Sequence, residues 1–260
     1  MAFNRKISGI VITSNNLRHK YFTKKLLEKF NIKMIISEDK GIYYNKQIKD
    51  SDLVRRHFYN LDTQEKDIFG NISWPDNDIK FIPKKFINSE IIRNEVKELN
   101  PELIFLFGTS ILNEEWIEDF NERIINLHLG LSPFYKGSAT LFWPIANHEI
   151  ECIGSTIHLA EKNVDSGRIL ARIKPSLEIG DNLYTLSYKT IKESIDKYPD
   201  ICVEYSKGTL KPFVQNNINS KIFKKADFND ENLLRALEYI GQGLTKEKID
   251  QIKVSRKCVC

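Results

Sequence analysis

Residues 7–37 read ISGIVITSNNLRHKYFTKKLLEKFNIKMIIS. Ile7–Thr13 is short, apolar and β-branched, as a buried strand requires. Ser14, Asn15 and Asn16 form a polar turn able to cap a helix. Leu17, Tyr21, Phe22, Leu26, Leu27 and Phe30 then recur at helical spacing, and Ile32–Ser37 is a second apolar run. A strand, turn, helix and strand in that order predict an α/β domain with a parallel sheet. The turn carries no G-x-G-x-x-G, so the dinucleotide fingerprint is absent.

Outward from this unit the same alternation continues. Residues 38–78 are polar and poorly periodic, a long excursion with a helix expected around Asp52–Asn60. Ile79–Ile82 reads as a strand, and Asn88 as the cap of a helix reaching Leu99. Leu103–Phe107 is apolar enough for a central strand. A short helix is expected at Glu114–Phe120, strands at Ile124–Leu127, Ile153–Leu159 and Ile169–Ile173, and a helix over Ser187–Lys207. After about Gly208 the chain turns Lys/Asn-rich. The expectation is a core over 1–205 and a small extension over 206–260, built from a hairpin and one or two helices, one at Asp230–Ile240.

The chain has 260 residues, 41% hydrophobic and 28% charged, enough for one large domain. No apolar run approaches the ~18 residues of a membrane span, and the N-terminus reads as a strand rather than a signal peptide. Cys152, Cys202, Cys258 and Cys260 make no disulfide framework, which points to a reducing cytoplasm. Cys258 and Cys260 lack the further ligands of a zinc site and do not form a C-a-a-X box. The net charge is +4, and residues 206–260 carry eleven Lys/Arg against six Asp/Glu. A solvated helical face accounts for that excess more simply than a nucleic-acid surface.

The chemistry concentrates in residues 124–170, IINLHLGLSPFYKGSATLFWPIANHEIECIGSTIHLAEKNVDSGRIL. Asn126 and His128 are two apart at the end of an apolar strand, so both side chains share one face. Open α/β sheets bind ligands at the carboxyl ends of their strands. Asp165 follows in Val-Asp-Ser-Gly. Asn and His can donate to a developing oxyanion, and a carboxylate can hold the His ring or relay a proton. That set suits acyl transfer without a covalent enzyme intermediate. A hydrolase using Ser132, His128 and Asp165 is the weaker reading, because no nucleophile elbow is present.

The stretch resembles the tetrahydrofolate-dependent formyltransferases. The carriers are Asn-x-His at 126–128, the loop His128-Leu-Gly-Leu-Ser-Pro133-Phe-Tyr-Lys-Gly137, and Asp-x-Gly beginning 37 residues past the His (165 − 128). The resemblance implies a Rossmann-like formyltransferase fold with a mostly parallel sheet, and a formyl group moved from N10-formyltetrahydrofolate to an amine, with no metal. It implies that Asn126 and His128 stabilise the oxyanion and that Asp165 assists His128 and proton removal. It places the folate against Phe107, Gly108, Thr109, Ser110, Ile111 and Leu112, with Glu161, Lys162, Asn163 and Val164 closing the other side. Leu129 and Gly130 replace the usual Pro and Ser, which predicts a more mobile loop.

The acceptor follows by elimination. Thr13–His19 lacks the Gly-rich phosphate turn of glycinamide ribonucleotide transformylases. The stretch after residue 205 is shorter than the tRNA-gripping domain of methionyl-tRNA formyltransferases. Sugar N-formyltransferases fit best, and they imply a nucleotide-linked amino sugar, no nucleic-acid or membrane partner, and an extension that packs on the core or forms a homodimer. Arg18, His19, Ser132, Tyr135, Lys136 and Gly137 are the candidate acceptor contacts, with Phe142, Trp143, Tyr184 and Tyr188 able to stack on a base or sugar. The alternatives are another small amine, such as glycinamide ribonucleotide, and a non-catalytic folate or nucleotide-sugar binding module.

Overall fold

A computed structural model describes residues 5–39, 51–216 and 220–255. Cys258 and Cys260 therefore lie outside the described residues. β1 (Ser8–Thr13), α1 (Leu17–Lys29) and β2 (Asn31–Glu38) realise the opening unit. α2 (Asp52–Phe69) and β3 (Ile79–Ile82) follow, then α3 (Glu90–Leu99), β4 (Leu103–Leu106), α4 (Glu114–Asp119) and β5 (Ile124–His128). β6 (Tyr135–Gly137) and the single turn α5 (Trp143–Ala146) lead into β7 (Ser155–Leu159) and β8 (Ile169–Ile173). The long α6 (Leu183–Ser206) precedes β9 (Lys221–Phe223), α7 (Asp230–Ile240) and α8 (Lys246–Val254).

Seven strands form one sheet in the order β3-β2-β1-β4-β5-β7-β8. The first five are parallel, while β7 runs antiparallel to β5 and β8 antiparallel to β7. The strand order reverses between β1 and β4, so a crevice opens at their carboxyl ends. Alternating side chains feed two cores. Val11, Phe105, Ile125 and Leu127 face a layer that includes Phe22 and Tyr198. Ile10, Ile12, Ile104 and Ile124 face Val96, Trp116 and Phe120. Helices therefore cover both faces, as the apolar runs of a parallel sheet demand.

Several boundaries differ from the sequence reading, each for a local reason. α2 runs on to Phe69 because two residues of its buried face, His57 and Glu65, are polar and hide the helical stripe. α6 starts at Leu183 rather than Ser187, since the Asn182 side chain accepts the N–H groups of Tyr184 and Thr185. Ser89, not Asn88, caps α3. Asn88 instead donates to the Ile111 carbonyl at 2.8 Å and accepts the Asn113 N–H at 2.9 Å. β9 forms no hairpin of its own but pairs in parallel with β6. α7 packs on α5 and α6, and Leu233, Ala236, Ile240 and Leu244 join the main core. Cys202 is a free, buried thiol. Cys152 sits buried in a turn packed against α8, a proximity that spacing along the chain does not convey.

Candidate active site

β5 ends where β7 pairs with it antiparallel, and that register sets Asn126 directly opposite His158. Cross-strand neighbours of this kind bring side chains into contact on one face. His158 Nδ1 lies 2.8 Å from the Leu159 carbonyl, which can only accept, so Nδ1 carries the proton. Its Nε2 then accepts from the Asn126 amide at 3.1 Å. One Asn126 N–H is thereby fixed and the other is left to act. His158 is a site residue the sequence reading missed. The signal was its place in the strand facing Asn126 and its spacing of seven residues before Asp165 (165 − 158). His158→Ala should lower kcat about tenfold to a hundredfold through loss of Asn126 orientation, with the donor KM little changed in steady-state assays.

His128, at the last position of β5, is buried. Its Nε2 donates to the Tyr135 carbonyl at 3.0 Å, and its Nδ1 faces Asp165 Oδ1 at 3.3 Å. Asp165 Oδ2 accepts the Gly137 N–H at 3.0 Å. Burial pushes the Asp165 carboxyl up, but His128, His158 and the Gly137 N–H outweigh it and hold the pKa down at about 2. Burial also pushes His128 below the ordinary histidine value, against the pull of Asp165 and the Tyr135 carbonyl. Nδ1 and the Asp165 carboxylate thus face each other across a distance over which a proton can be shared. A proton delivered there is shared between two acceptors, the role of a general base.

The loop after His128 is tied down rather than loose. Thr156 donates its hydroxyl to the Gly130 carbonyl at 2.7 Å and accepts the Ser132 N–H at 2.8 Å. The Thr140 hydroxyl donates to the Leu129 carbonyl. Gly130 is present because the His128 ring lies against it: a Cβ there would sit 2.4 Å from His128 Nε2 and 2.5 Å from the Tyr135 carbonyl. These contacts anchor the loop that was expected to be mobile.

Of the two segments expected to flank a folate, the second comes close to the residues just after the first. Lys162 forms an ion pair with Glu114, two residues past Leu112. Ile111 is 67% exposed and Val164 47%, apolar side chains left without cover at the mouth of the crevice. Glu38 is buried there and accepts the Ser110 and Lys85 N–H groups, both at 2.6 Å, which fixes the loop leaving β4. Phe107 is buried, and its carbonyl accepts the Thr13 hydroxyl at 2.8 Å. Apolar walls on a fixed backbone suit a flat aromatic ligand such as a pterin. Glu38→Ala should free this loop and weaken donor binding about tenfold, measured by equilibrium fluorescence titration, while the melting temperature drops only a few degrees.

The residues expected to contact the acceptor are placed differently. His19 is fully buried under Gly108, against the Phe107 ring at 4.9 Å between centroids, and its Nδ1 accepts the Asn16 N–H. Arg18 is paired with Glu65, side chain to side chain at 2.7 Å and backbone N–H to carboxylate at 3.0 Å. Arg18 is thus held by Glu65 of α2, and His19 by the backbone at the start of α1. Ser132 is buried, with its carbonyl accepting from Arg172. Tyr135 is buried and stacked on Phe223, and Lys136 is buried close enough to Asp165 to feel its charge. Of these, the Tyr135 carbonyl accepts from His128, and the Gly137 N–H donates to Asp165. Phe142, Trp143 and Tyr188 are buried in the core, and Tyr184 packs on His57.

The chain is similar to several known proteins. The sequence pattern described as formyl transferase matches residues 10–201. A methionyl-tRNA formyltransferase of Caldanaerobacter subterraneus subsp. tengcongensis is 32% identical over 136 residues, 52% of this chain and 44% of that protein. The chain thus spans about half the length of such curated relatives. An N-formyltransferase from Helicobacter canadensis, solved with folinic acid and dTDP-3-aminofucose, superposes with a TM-score of 0.59 at 22% identity, covering 93% of this chain and 85% of that one. A phosphoribosylglycinamide formyltransferase from Anaplasma phagocytophilum gives 0.55 at 18% identity, over 84% and 97%. With the match spanning most of the sheet and its Asn, His and Asp gathered at the strand ends, this chain belongs to the formyl transferase family.

Proposed function

We propose that this protein transfers a formyl group from N10-formyltetrahydrofolate to the amine of a nucleotide-linked amino sugar. The observation that carries the reading is the convergence of Asn126, His128 and Asp165 beside the crevice. The folate supplies an activated formyl carbon when bound. The Asn126 N–H not engaged by His158 is available to the formyl oxygen as negative charge develops there. Asp165 and the Nδ1 of His128 take the proton that an attacking amine loses. Ile111 and Val164 would cover the pterin and exclude water.

The sugar acceptor is supported by what the first turn contains. It lacks glycine, Asn15 accepts from Trp74 Nε1 at 3.0 Å, and Arg18 is held by Glu65. A ribose phosphate of the glycinamide ribonucleotide kind would have to displace these internal contacts. The test is absorbance-monitored conversion of N10-formyltetrahydrofolate to tetrahydrofolate against dTDP-, UDP- and GDP-linked amino sugars, glycinamide ribonucleotide and methionyl-tRNA. Turnover with a nucleotide sugar is the expected result. Turnover confined to glycinamide ribonucleotide or to methionyl-tRNA would overturn the acceptor assignment. Tight folate binding with no turnover on any of them would favour a binding module.

A further inference from the structure

Three features outside the sheet lie around the Asp165 loop, and they come from Phe213, Gln215 and β9. Phe213 exchanges two backbone hydrogen bonds with Ile169, at 2.8 and 2.9 Å, beside β8. β9 pairs with β6, the strand that supplies the Tyr135 carbonyl to His128 and the Gly137 N–H to Asp165. Between them lies Gln215, which is buried. Its Nε2 donates to the Asp165 carbonyl at 2.9 Å and to the Gly167 carbonyl at 2.7 Å.

The chemistry of that contact is one-sided. An amide nitrogen carries two protons, and both are used on carbonyls of one turn. The reversed orientation would set Oε1 against two other oxygens, so the assignment of nitrogen and oxygen is fixed. Oε1 is left buried without a hydrogen bond among the described residues, an unfavourable state that calls for a compensating purpose. The turn it grips needs holding. Asp165 has φ 50°, a left-handed conformation disfavoured for a residue with a side chain. Gly167 is pressed so tightly on β7 that a Cβ would lie 1.7 Å from the Leu159 carbonyl.

We propose that Gln215 is a positioning residue for the reaction: it locks the left-handed Asp165 turn so that the carboxylate stays on His128. The inference rests on the formyl-transfer reading for its kinetic consequence, but not for its structural one. The groups facing the Asp165 carboxylate are His128 from β5, His158 from β7, and Lys136 with the Gly137 N–H from β6. Release of the turn withdraws the negative charge that supports a proton on His128.

The experiment compares the full chain with Gln215→Leu, which keeps the volume and removes both donors, and with Gln215→Glu, which sets acceptors against acceptors. Val214→Ala is the control, its side chain being exposed in the same segment. Histidine titrations are followed by NMR beside steady-state kinetics with the acceptor found above. Gln215→Leu is expected to move the His128 titration to lower pH and to reduce kcat about a hundredfold, with both KM values within a few fold. Gln215→Glu should do at least as much, and Val214→Ala neither. An unmoved His128 titration with unchanged kcat in folded Gln215→Leu overturns the proposal. A fall in folded protein with no change in titration also overturns it, since that marks a purely structural contact. If the wild type turns over no acceptor yet the titration moves as expected, the formyl-transfer reading fails and the positioning of Asp165 stands.

Discussion

Asp165→Asn should reduce kcat by about three to four orders of magnitude while both KM values stay within a few fold. The substitution keeps the size of the side chain and both of its supports, the Gly137 N–H and the Gln215 contact to the backbone. It removes the charge. His128 Nδ1 then faces a neutral amide, and the proton released by the amine has no ionised partner to share it. Rapid-quench measurement of a single turnover separates this from slow product release. A loss smaller than about tenfold would assign the proton to another group.

The same variant carries a stability signature. The Asp165 carboxyl titrates at about 2 in the folded protein against an ordinary 3.8. A carboxyl depressed by folding stabilises the native state above its ordinary pKa, and that contribution is lost as pH falls through the folded value. The gap corresponds to about 2 kcal/mol at pH 7, declining between roughly pH 4 and pH 2. Urea unfolding at pH 7 and pH 3 should show that decline in the wild type and a shallower one in Asp165→Asn.

Gly130→Ala is the second substitution with a large expected effect. The new methyl would meet His128 Nε2 at 2.4 Å, the Tyr135 carbonyl at 2.5 Å and Thr140 Cβ at 2.7 Å. No contact of that length survives, and only the histidine ring can give way without moving backbone. The Nε2 donor contact to Tyr135 is the first to break, which turns Nδ1 off Asp165. We expect kcat to fall about a hundredfold and stability by about 1–3 kcal/mol. Unchanged activity with a normal urea midpoint would mean that the loop yields more easily than its three threonine-mediated hydrogen bonds indicate.

The sheet was legible in the sequence because its strands are continuous apolar runs separated by turns, and such runs have few alternatives. α7 was legible for a similar reason, an apolar stripe bounded by Asn229 and Gly241. α2 was partly hidden because burying His57 and Glu65 breaks the pattern that marks a helix. Asn126, His128 and Asp165 were legible through spacing, which is a property of the chain. His158 and Gln215 were not, because their roles arise from strand register and from a return of the chain after α6. The fate of Arg18 and His19 was hidden likewise: a cationic run at a helix start invites an anion, and the partner, Glu65, is supplied by another helix.

The parallel pairing of β6 with β9 also bears on the order in which the protein matures during synthesis. Tyr135 and Gly137 leave the ribosome well before Lys221 and Phe223, their partners in the ladder. The parallel strands and both cores have nearly all their residues by the end of α6, so a nascent chain can assemble its scaffold before β9 exists. The supports of the His128–Asp165 pair are completed only afterwards. The ladder that carries the Tyr135 carbonyl and the Gly137 N–H is therefore closed by residues made after α6.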